Sequence, residues 1–164
     1  MELTSTKNAT VLYAASLKDK KYRDKENKYL IEGEHLVNMA GDDIECIFTT
    51  DESYKNDKVT VYYVNDAVLK KISFVQSPQG IIGVVRKKEI YVQGLSKVLV
   101  LDNLQDPGNV GTLLRSALAF NYNQVFISDN CVDIYNLALL FLHNDSFQLL
   151  LLHQLSILFH ILYK

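Results

Sequence analysis

Two apolar runs on either side of a helical repeat constrain the fold of this chain more than any other feature. The centre of KVLVLDN (97–103) is continuously apolar, which is typical of a parallel strand buried on both faces. After the turn LQDPGN, apolar residues recur at helical spacing from Val110 to Leu118, which predicts a helix from about Val110 that buries one side. The run QVFIS (124–128) predicts a second strand. This order indicates a βαβ unit with a right-handed crossover, and therefore a parallel sheet.

The preceding residues also alternate helical and strand-like patterns. Residues 1–40 are mainly helical in pattern, but Gly33 interrupts YLIEGEHLVNMA, which favours a short strand that leads into a helix. The segment NDAVLKKIS predicts another short helix, capped by Asn65 or Asp66. Three runs rich in β-branched and aromatic residues predict strands, namely IECIFTT (44–50), VTVYYV (59–64) and GIIGVV (80–85). The alternation predicts an α/β domain.

The boundary between these two parts falls in RKKEIYVQGLSK, which is polar at both ends and contains a glycine. We therefore predict a first domain over residues 1–88, a linker over 89–96 and a second domain from 97 onward. An abrupt change in composition then separates the rest of the second domain (97–136) from a leucine-rich tail (137–164).

The charge of the chain is concentrated in one place. The formal net charge is only −2, so the total does not indicate a nucleic-acid binder. Residues 18–28, KDKKYRDKENK, nevertheless hold six of the 17 lysines and arginines. Such a segment is compatible with phosphate contacts, and a solvated helix face is the alternative that the pattern leaves open.

Cysteines and histidines predict no metal site. Cys46 and Cys131 are far apart, and neither has a second ligand at metal-binding spacing, so we expect both to be buried apolar side chains of a cytosolic protein. Three histidines fall in the tail, at His143, His153 and His160. Their separations of ten and seven residues fit no usual ligand pattern.

The loop DNLQDPGN (102–109) is the candidate site. Ligands of βαβ units gather at the carboxyl end of the strand, where the loop meets the next helix. Pro107 and Gly108 predict a tight turn there, and Asn109 is placed to cap the helix. Arg115 can reach back over the helix N-terminus, where free N–H groups and the dipole favour an anion. A structural cap and a solvated arginine are the alternatives, and neither a dinucleotide fingerprint nor a Walker loop is present.

The segment LDNLQDPGNVGTLLRSA resembles the first signature motif of the SpoU-type (TrmH-like) RNA ribose 2'-O-methyltransferases. The amino-terminal region TSTKNATVLYAASLKDKKYRDKENKYLIEGEHLV is similar to the start of that family's RNA-binding domain, and SPQGIIGVV to its end. The resemblance covers residues 3–136. It implies a small α/β RNA-binding domain followed by a parallel-sheet α/β domain of the trefoil-knot type.

The resemblance also implies a reaction and its residues. A ribose 2'-hydroxyl of ribosomal or transfer RNA would attack the methyl group of S-adenosylmethionine, in the cytoplasm. Arg115 would activate that hydroxyl with help from an RNA phosphate, and Asn109 would position the arginine. Lys20, Lys21 and Arg23 would belong to an RNA-contacting surface. The intact family implies a homodimer.

After Asn136 the chain departs from the family pattern. The family continues with glycine-, asparagine- and serine-bearing loops that hold the methyl donor, whereas residues 137–164 contain no Gly, Pro or Arg and eleven leucines among 28 residues. We therefore expect an out-of-frame tail, no assignable cofactor-binding residues, and little or no activity. A helix packed on the domain and a membrane anchor over 147–163 are alternatives, but that stretch is short and polar for a membrane span. A non-catalytic RNA-binding protein is the other function left open.

Overall fold

The computed structural model describes residues 1–87, 97–122 and 124–135, together with the backbone of 156–159. The chain divides into two compact units, Met1–Lys88 and Glu89–Lys164. The predicted linker lies wholly outside the described residues, and so does most of the predicted tail.

The first unit is a five-stranded mixed sheet with helices. Its strand order is β1-β4-β3-β5-β2, with β1, β4 and β3 parallel and with β5 antiparallel to both β3 and β2. A 3-10 turn, Gly41–Asp43, precedes β3. The strands and helices are β1 (Glu2–Leu3), α1 (Ala9–Ser16), α2 (Lys20–Glu26), β2 (Lys28–Glu32), α3 (Glu34–Ala40), β3 (Ile44–Thr49), β4 (Thr60–Val64), α4 (Asp66–Ile72) and β5 (Ile81–Arg86).

Local signals explain where these helices begin. The side chain of Asn8 accepts a hydrogen bond from the first turn of α1, and that of Asp19 does the same for α2, so the predicted helical region is two helices. Gly33, with φ 103°, separates β2 from α3, which confirms the predicted strand-to-helix break. Asn65 caps α4, and this settles the choice that the sequence left open.

The core of the first unit lies between the sheet and its helices. Its largest fully buried side chains are Leu17, Leu30, Ile31, Leu36, Ile47, Phe48, Ile72 and Ile82. These side chains come from α3, α4, β2, β3, β5 and the C-cap of α1. Truncating any one of them to alanine costs about 2–5 kcal/mol through lost burial and the cavity left behind.

A buried carboxylate holds the loop between α4 and β5. Glu32, at the end of β2, is only 1% exposed. It accepts hydrogen bonds from Ser73 Oγ at 2.8 Å and from the Gln79 backbone N–H at 3.0 Å. Burial raises the pKa of Glu32 above its usual 4.5, while these two hydrogen bonds and the charge of Lys18 oppose the shift. Ionising Glu32 therefore costs stability, while the hydrogen bonds that it accepts fix both ends of the loop.

Glu32→Gln should remove a pH dependence of stability. Since the folded pKa is raised above 4.5, the contribution of Glu32 is fully present below that pH and is lost as the pH rises through the folded pKa. The free energy of unfolding of Glu32→Gln, relative to wild type, should therefore increase from pH 4.5 towards neutrality. Urea unfolding followed by circular dichroism measures this difference. Glu34→Gln, at an exposed carboxylate, is the control, and a parallel pH profile for Glu32→Gln and wild type would contradict the assignment.

The second unit contains a parallel sheet of order β6-β7-β8. Its elements are β6 (Val98–Leu101), α5 (Pro107–Ala119), β7 (Gln124–Ile127) and β8 (Ser156–Phe159). Strands β6 and β7 are parallel in the register Val98 to Gln124, so the predicted βαβ pattern is confirmed. The expectation that β6 is buried on both faces is wrong at Val100, which is 49% exposed. Strand β8, which falls in the predicted tail, pairs in parallel with β7.

Candidate functional site

The candidate loop leaves the carboxyl end of β6 and is joined to the segment that follows β7. Asn103, which has φ 55°, donates from its backbone N–H to Ser128 Oγ at 3.1 Å. The Leu104 N–H donates to Cys131 Sγ at 3.3 Å, and this thiol lies 3.4 Å from the Leu101 carbonyl. Because parallel strands end at the same edge, short side chains of one loop can satisfy the backbone of the other. The loop before α5 is therefore held in place.

The cap of α5 is Asp106, and the prediction that Asn109 caps this helix is wrong. The Asp106 carboxylate accepts from the Asn109 backbone N–H at 2.7 Å. Pro107, Gly108 and Asn109 belong to the first helical turn and do not form a separate tight turn. Proline fits the first helical position because its φ is preset and its missing N–H is not needed there. The cap is consequently three residues earlier than the sequence pattern suggested.

Arg115 reaches back along α5 through a threonine. Its Nη2 donates to Thr112 Oγ1 at 2.8 Å, and the same hydroxyl donates to the Gly108 carbonyl at 2.9 Å. Since the hydroxyl proton is used on Gly108, a lone pair of Thr112 faces the guanidinium. Thr112 was not singled out by sequence reasoning, although its spacing of three from Arg115 and four from Gly108 is the helical signal that could have found it.

The other terminal nitrogen of Arg115 is buried. Arg115 Nη1 donates to no acceptor among the described residues. A buried donor left unsatisfied costs about 1–3 kcal/mol, so such a group calls for an acceptor. Because the guanidinium is positively charged, an anionic acceptor forms the strongest hydrogen bond with it. The arrangement can therefore bind a phosphate or stabilise a developing oxyanion.

Asn109 is exposed, and it is not bonded to Arg115 in the part of the chain that the structure describes. Its backbone serves the Asp106 cap, while its side-chain amide points to no described partner. The two residues named for the site thus lie on one helix, but the residue that contacts the guanidinium is Thr112.

The basic segment 18–28 contains both exposed lysines and a buried arginine. Lys20 and Lys21 are exposed on α2. Arg23 is only 3% exposed, and its Nη1 donates to the carbonyls of Leu17 at 2.8 Å and Lys18 at 2.7 Å. These carbonyls follow the end of α1, where backbone acceptors lack helical partners. The prediction that Arg23 contacts RNA is therefore corrected, because its guanidinium closes the α1–α2 turn.

The described residues include no group of three metal-ligating side chains. The tail histidines His143, His153 and His160 lie outside the described residues. Cys46 and Cys131 are free and buried, as predicted. Burial raises the pKa of Cys46 to about 12, so this thiol is unreactive near neutral pH. Within the described ranges, no helix is long and apolar enough to cross a membrane.

The fold and the site together define a class of protein. A mixed α/β unit with an exposed lysine pair is followed in sequence by a parallel α/β unit, whose helix α5 carries a guanidinium nitrogen without an acceptor among the described residues. Such features are those of a protein that handles an anionic substrate.

Comparison with known protein families identifies the family within this class. The MRM3-like substrate binding domain matches residues 8–83, and the SpoU rRNA Methylase family matches residues 96–161. The chain belongs to the SpoU-type RNA methylase family. The second match continues well beyond Asn136, through most of the predicted tail.

Individual relatives agree with this assignment. The 23S rRNA (guanosine(2553)-2'-O)-methyltransferase RlmP of Bacillus subtilis is 33% identical over 142 residues, which are 82% of this chain and 57% of that protein. A solved RNA 2'-O ribose methyltransferase is 28% identical with a TM-score of 0.70, over 96% of this chain and 65% of that one. The AdoMet-bound rRNA methyltransferase of Sinorhizobium meliloti, at 23% identity, shares the fold with a TM-score of 0.73 over 96% and 63%. The chain spans little more than half of the Bacillus protein.

Asp106→Ala should loosen the start of α5. Loss of a side-chain cap costs about 1 kcal/mol, or roughly a fivefold faster opening. Hydrogen exchange of the α5 amides, Asn109 first, measures the effect. Asp106→Asn retains a capping oxygen and is the matched control. Equal protection in the alanine and asparagine variants would show that Asp106 does not cap the helix.

Proposed function

We propose that this chain serves RNA ribose 2'-O-methylation, with ribosomal or transfer RNA as the substrate and S-adenosylmethionine as the methyl donor. The observation that carries the proposal is the buried Nη1 of Arg115, which lies in the middle of α5 and has no hydrogen-bond partner among the described residues. Arg115 falls within the range that the family model matches. The AdoMet-bound relative supports the choice of donor.

The proposed chemistry centres on the ribose oxygen. A 2'-hydroxyl is a weak nucleophile until its proton is removed, so a group near it must favour the developing negative charge. An ordinary arginine stays protonated, and its guanidinium can stabilise that charge or bind the adjacent phosphate. With Nη2 held by Thr112, Nη1 is the atom that we assign to this anion. Asn109, exposed on the first turn, is assigned to contact the substrate.

We assign no described residue to the binding of the methyl donor. The loops expected to hold S-adenosylmethionine would follow Asn136, and those positions lie outside the described residues apart from the β8 backbone. When bound, the donor supplies an electrophilic methyl group. No residue of the described part is assigned to it.

The remaining parts of the proposal concern organisation. We assign residues 1–88 to RNA binding, 89–96 to a linker and 97–136 to the first part of the methylase domain. The exposed pair Lys20 and Lys21 supports RNA binding by the first domain. A homodimer in the cytoplasm is the expected assembly and location of the intact enzyme. The assignment of 137–164 as an out-of-frame tail stays a prediction, which the nucleotide sequence after the Asn136 codon tests.

Arg115→Ala should lower the methyl transfer that the chain supports by at least about a hundredfold, because removing one positioned donor to a developing oxyanion costs a factor of roughly 10²–10³. A transcript of the 23S rRNA segment around guanosine 2553, the nucleotide named for the Bacillus relative, and tritiated S-adenosylmethionine provide the assay. Arg115→Lys keeps the charge without the planar fork and should rescue little. Wild-type chain that binds the RNA but transfers no methyl group would agree with the loss of activity expected from the tail and with the non-catalytic RNA-binding alternative, and a chain that neither binds RNA nor transfers a methyl group would contradict the proposal.

Replacing both Lys20 and Lys21 by glutamine should weaken RNA binding and make it less dependent on salt. Each phosphate contact contributes about 0.7 to the slope of log affinity against log salt for single strands, so the slope should fall by roughly one. Fluorescence anisotropy with the labelled transcript measures it. Lys58→Gln, at a lysine paired with Asp42, is the control. An unchanged slope in the double variant would remove the α2 lysines from the RNA surface.

A further inference from the structure

The loop of residues 73–80, SFVQSPQG, is fixed on several sides and yet presents polar side chains to solvent. Glu32 holds Ser73 and Gln79. At its far end, the Gly80 carbonyl accepts from the Thr50 N–H and from Thr49 Oγ1, both at 3.0 Å. A loop tied at both ends loses little conformational entropy when it binds a partner. We call residues 73–80 the anchored loop.

Lys18 connects the turn before α2 to the end of α4 and to the anchored loop. Its Nζ donates to the Ser73 carbonyl at 2.7 Å and lies 3.4 Å from the Lys71 carbonyl. The same ammonium lies 5.6 Å from the centre of the half-buried Phe74 ring. The turn that precedes α2 is thereby fixed against the end of α4. Lys20 and Lys21, in the first turn of α2, therefore follow closely in sequence a lysine that contacts the end of α4.

Four exposed lysines lie in the two segments that Lys18 joins, the start of α2 and the end of α4. Lys20, Lys21, Lys70 and Lys71 are all exposed. Within residues 1–87, none of their ammonium groups pairs with a carboxylate. The nearest acid in sequence, Asp19, accepts from the Lys21 backbone N–H at 2.9 Å. The positive charge of these lysines is therefore available to phosphates.

The anchored loop also carries two exposed side-chain amides. Gln76 and Gln79 are exposed, and each side chain carries both a donor and an acceptor. Amides of this kind form paired hydrogen bonds with base edges, whereas phosphates accept but do not donate. Base edges are accessible in unpaired RNA, because the major groove of an RNA duplex is too deep and narrow for side chains.

We propose that the anchored loop reads unpaired RNA bases through Gln76 and Gln79, while the lysines of α2 and α4 hold the phosphates on either side. This inference rests on the proposed function and deepens it, since it names the part of the first unit that distinguishes one RNA from another. Lysines alone would favour any polyanion, including an acidic peptide. The two exposed amides at a fixed loop favour RNA, because carboxylates offer no donors to them.

The test uses fluorescence anisotropy with the full chain and a short, labelled, single-stranded RNA of the 23S sequence around guanosine 2553. Replacing Gln76 and Gln79 by alanine should weaken binding about tenfold, as expected for the loss of base contacts, and leave the salt slope unchanged. The loss should vanish with an abasic RNA of the same length. Replacing Lys70 and Lys71 by glutamine should instead lower the salt slope by roughly one.

Two matched controls lie at the opposite end of the sheet. Asn38→Ala removes an exposed amide and Lys58→Gln removes a lysine, both at a depression beside the start of β3. Both should bind the RNA within about twofold of wild type, since a difference of that size is only a few tenths of a kcal/mol. Circular dichroism melts verify that every variant is folded.

Each outcome separates this inference from the proposed function. Wild-type binding that the glutamine variant leaves unchanged, or that it weakens equally for the abasic RNA, overturns base reading and leaves RNA binding intact. Displacement of the RNA by polyglutamate as readily as by unlabelled RNA would show a general polyanion surface instead. Wild-type chain that binds none of the RNAs overturns the inference and the RNA-binding part of the proposed function together.

Discussion

Parallel pairing of strands is the constraint on which both units depend. In the first unit β1, β4 and β3 run in parallel, and in the second β6, β7 and β8 do so. Parallel strands need a crossover between them, and their carboxyl ends then meet at one edge. In the second unit this edge joins the loop after β6 to Ser128 and Cys131. The start of α5 therefore lies at the carboxyl edge of the sheet because β6 and β7 are parallel.

Charged side chains in this chain often serve backbone groups at helix ends. Asp106 satisfies an N–H at the start of α5, and Arg23 satisfies carbonyls after the end of α1. Both helix ends would otherwise leave backbone groups without partners. Glu32 does the same for a loop, in that its carboxylate accepts the Gln79 N–H. A charged residue in the sequence can therefore be a hydrogen-bond partner of the backbone as readily as a ligand contact.

This dual use explains what the sequence could predict. The strand-to-helix break at Gly33 and the cap at Asn65 follow from local backbone chemistry. The break was predicted correctly, and Asn65 was one of the two caps that the sequence left open. Between Asp106 and Asn109, however, residue type does not discriminate, because both are good caps, and only the proline at the first helical position decides. The burial of Arg23 depends on where α1 ends in three dimensions. No periodicity within KDKKYRDKENK separates it from Lys20 and Lys21.

The same reasoning explains why Arg115 stands apart from the other charged groups. The Arg23 guanidinium donates to carbonyls of its own chain, whereas Arg115 has one nitrogen on Thr112 and one that is buried without an acceptor among the described residues. A lysine could not divide its donors in this way, because they share a single atom. The hydrogen bond to Thr112 restricts the orientation of the guanidinium and therefore the position at which an acceptor for Nη1 would lie. The Thr112 hydroxyl is itself held by the Gly108 carbonyl in the first turn of α5.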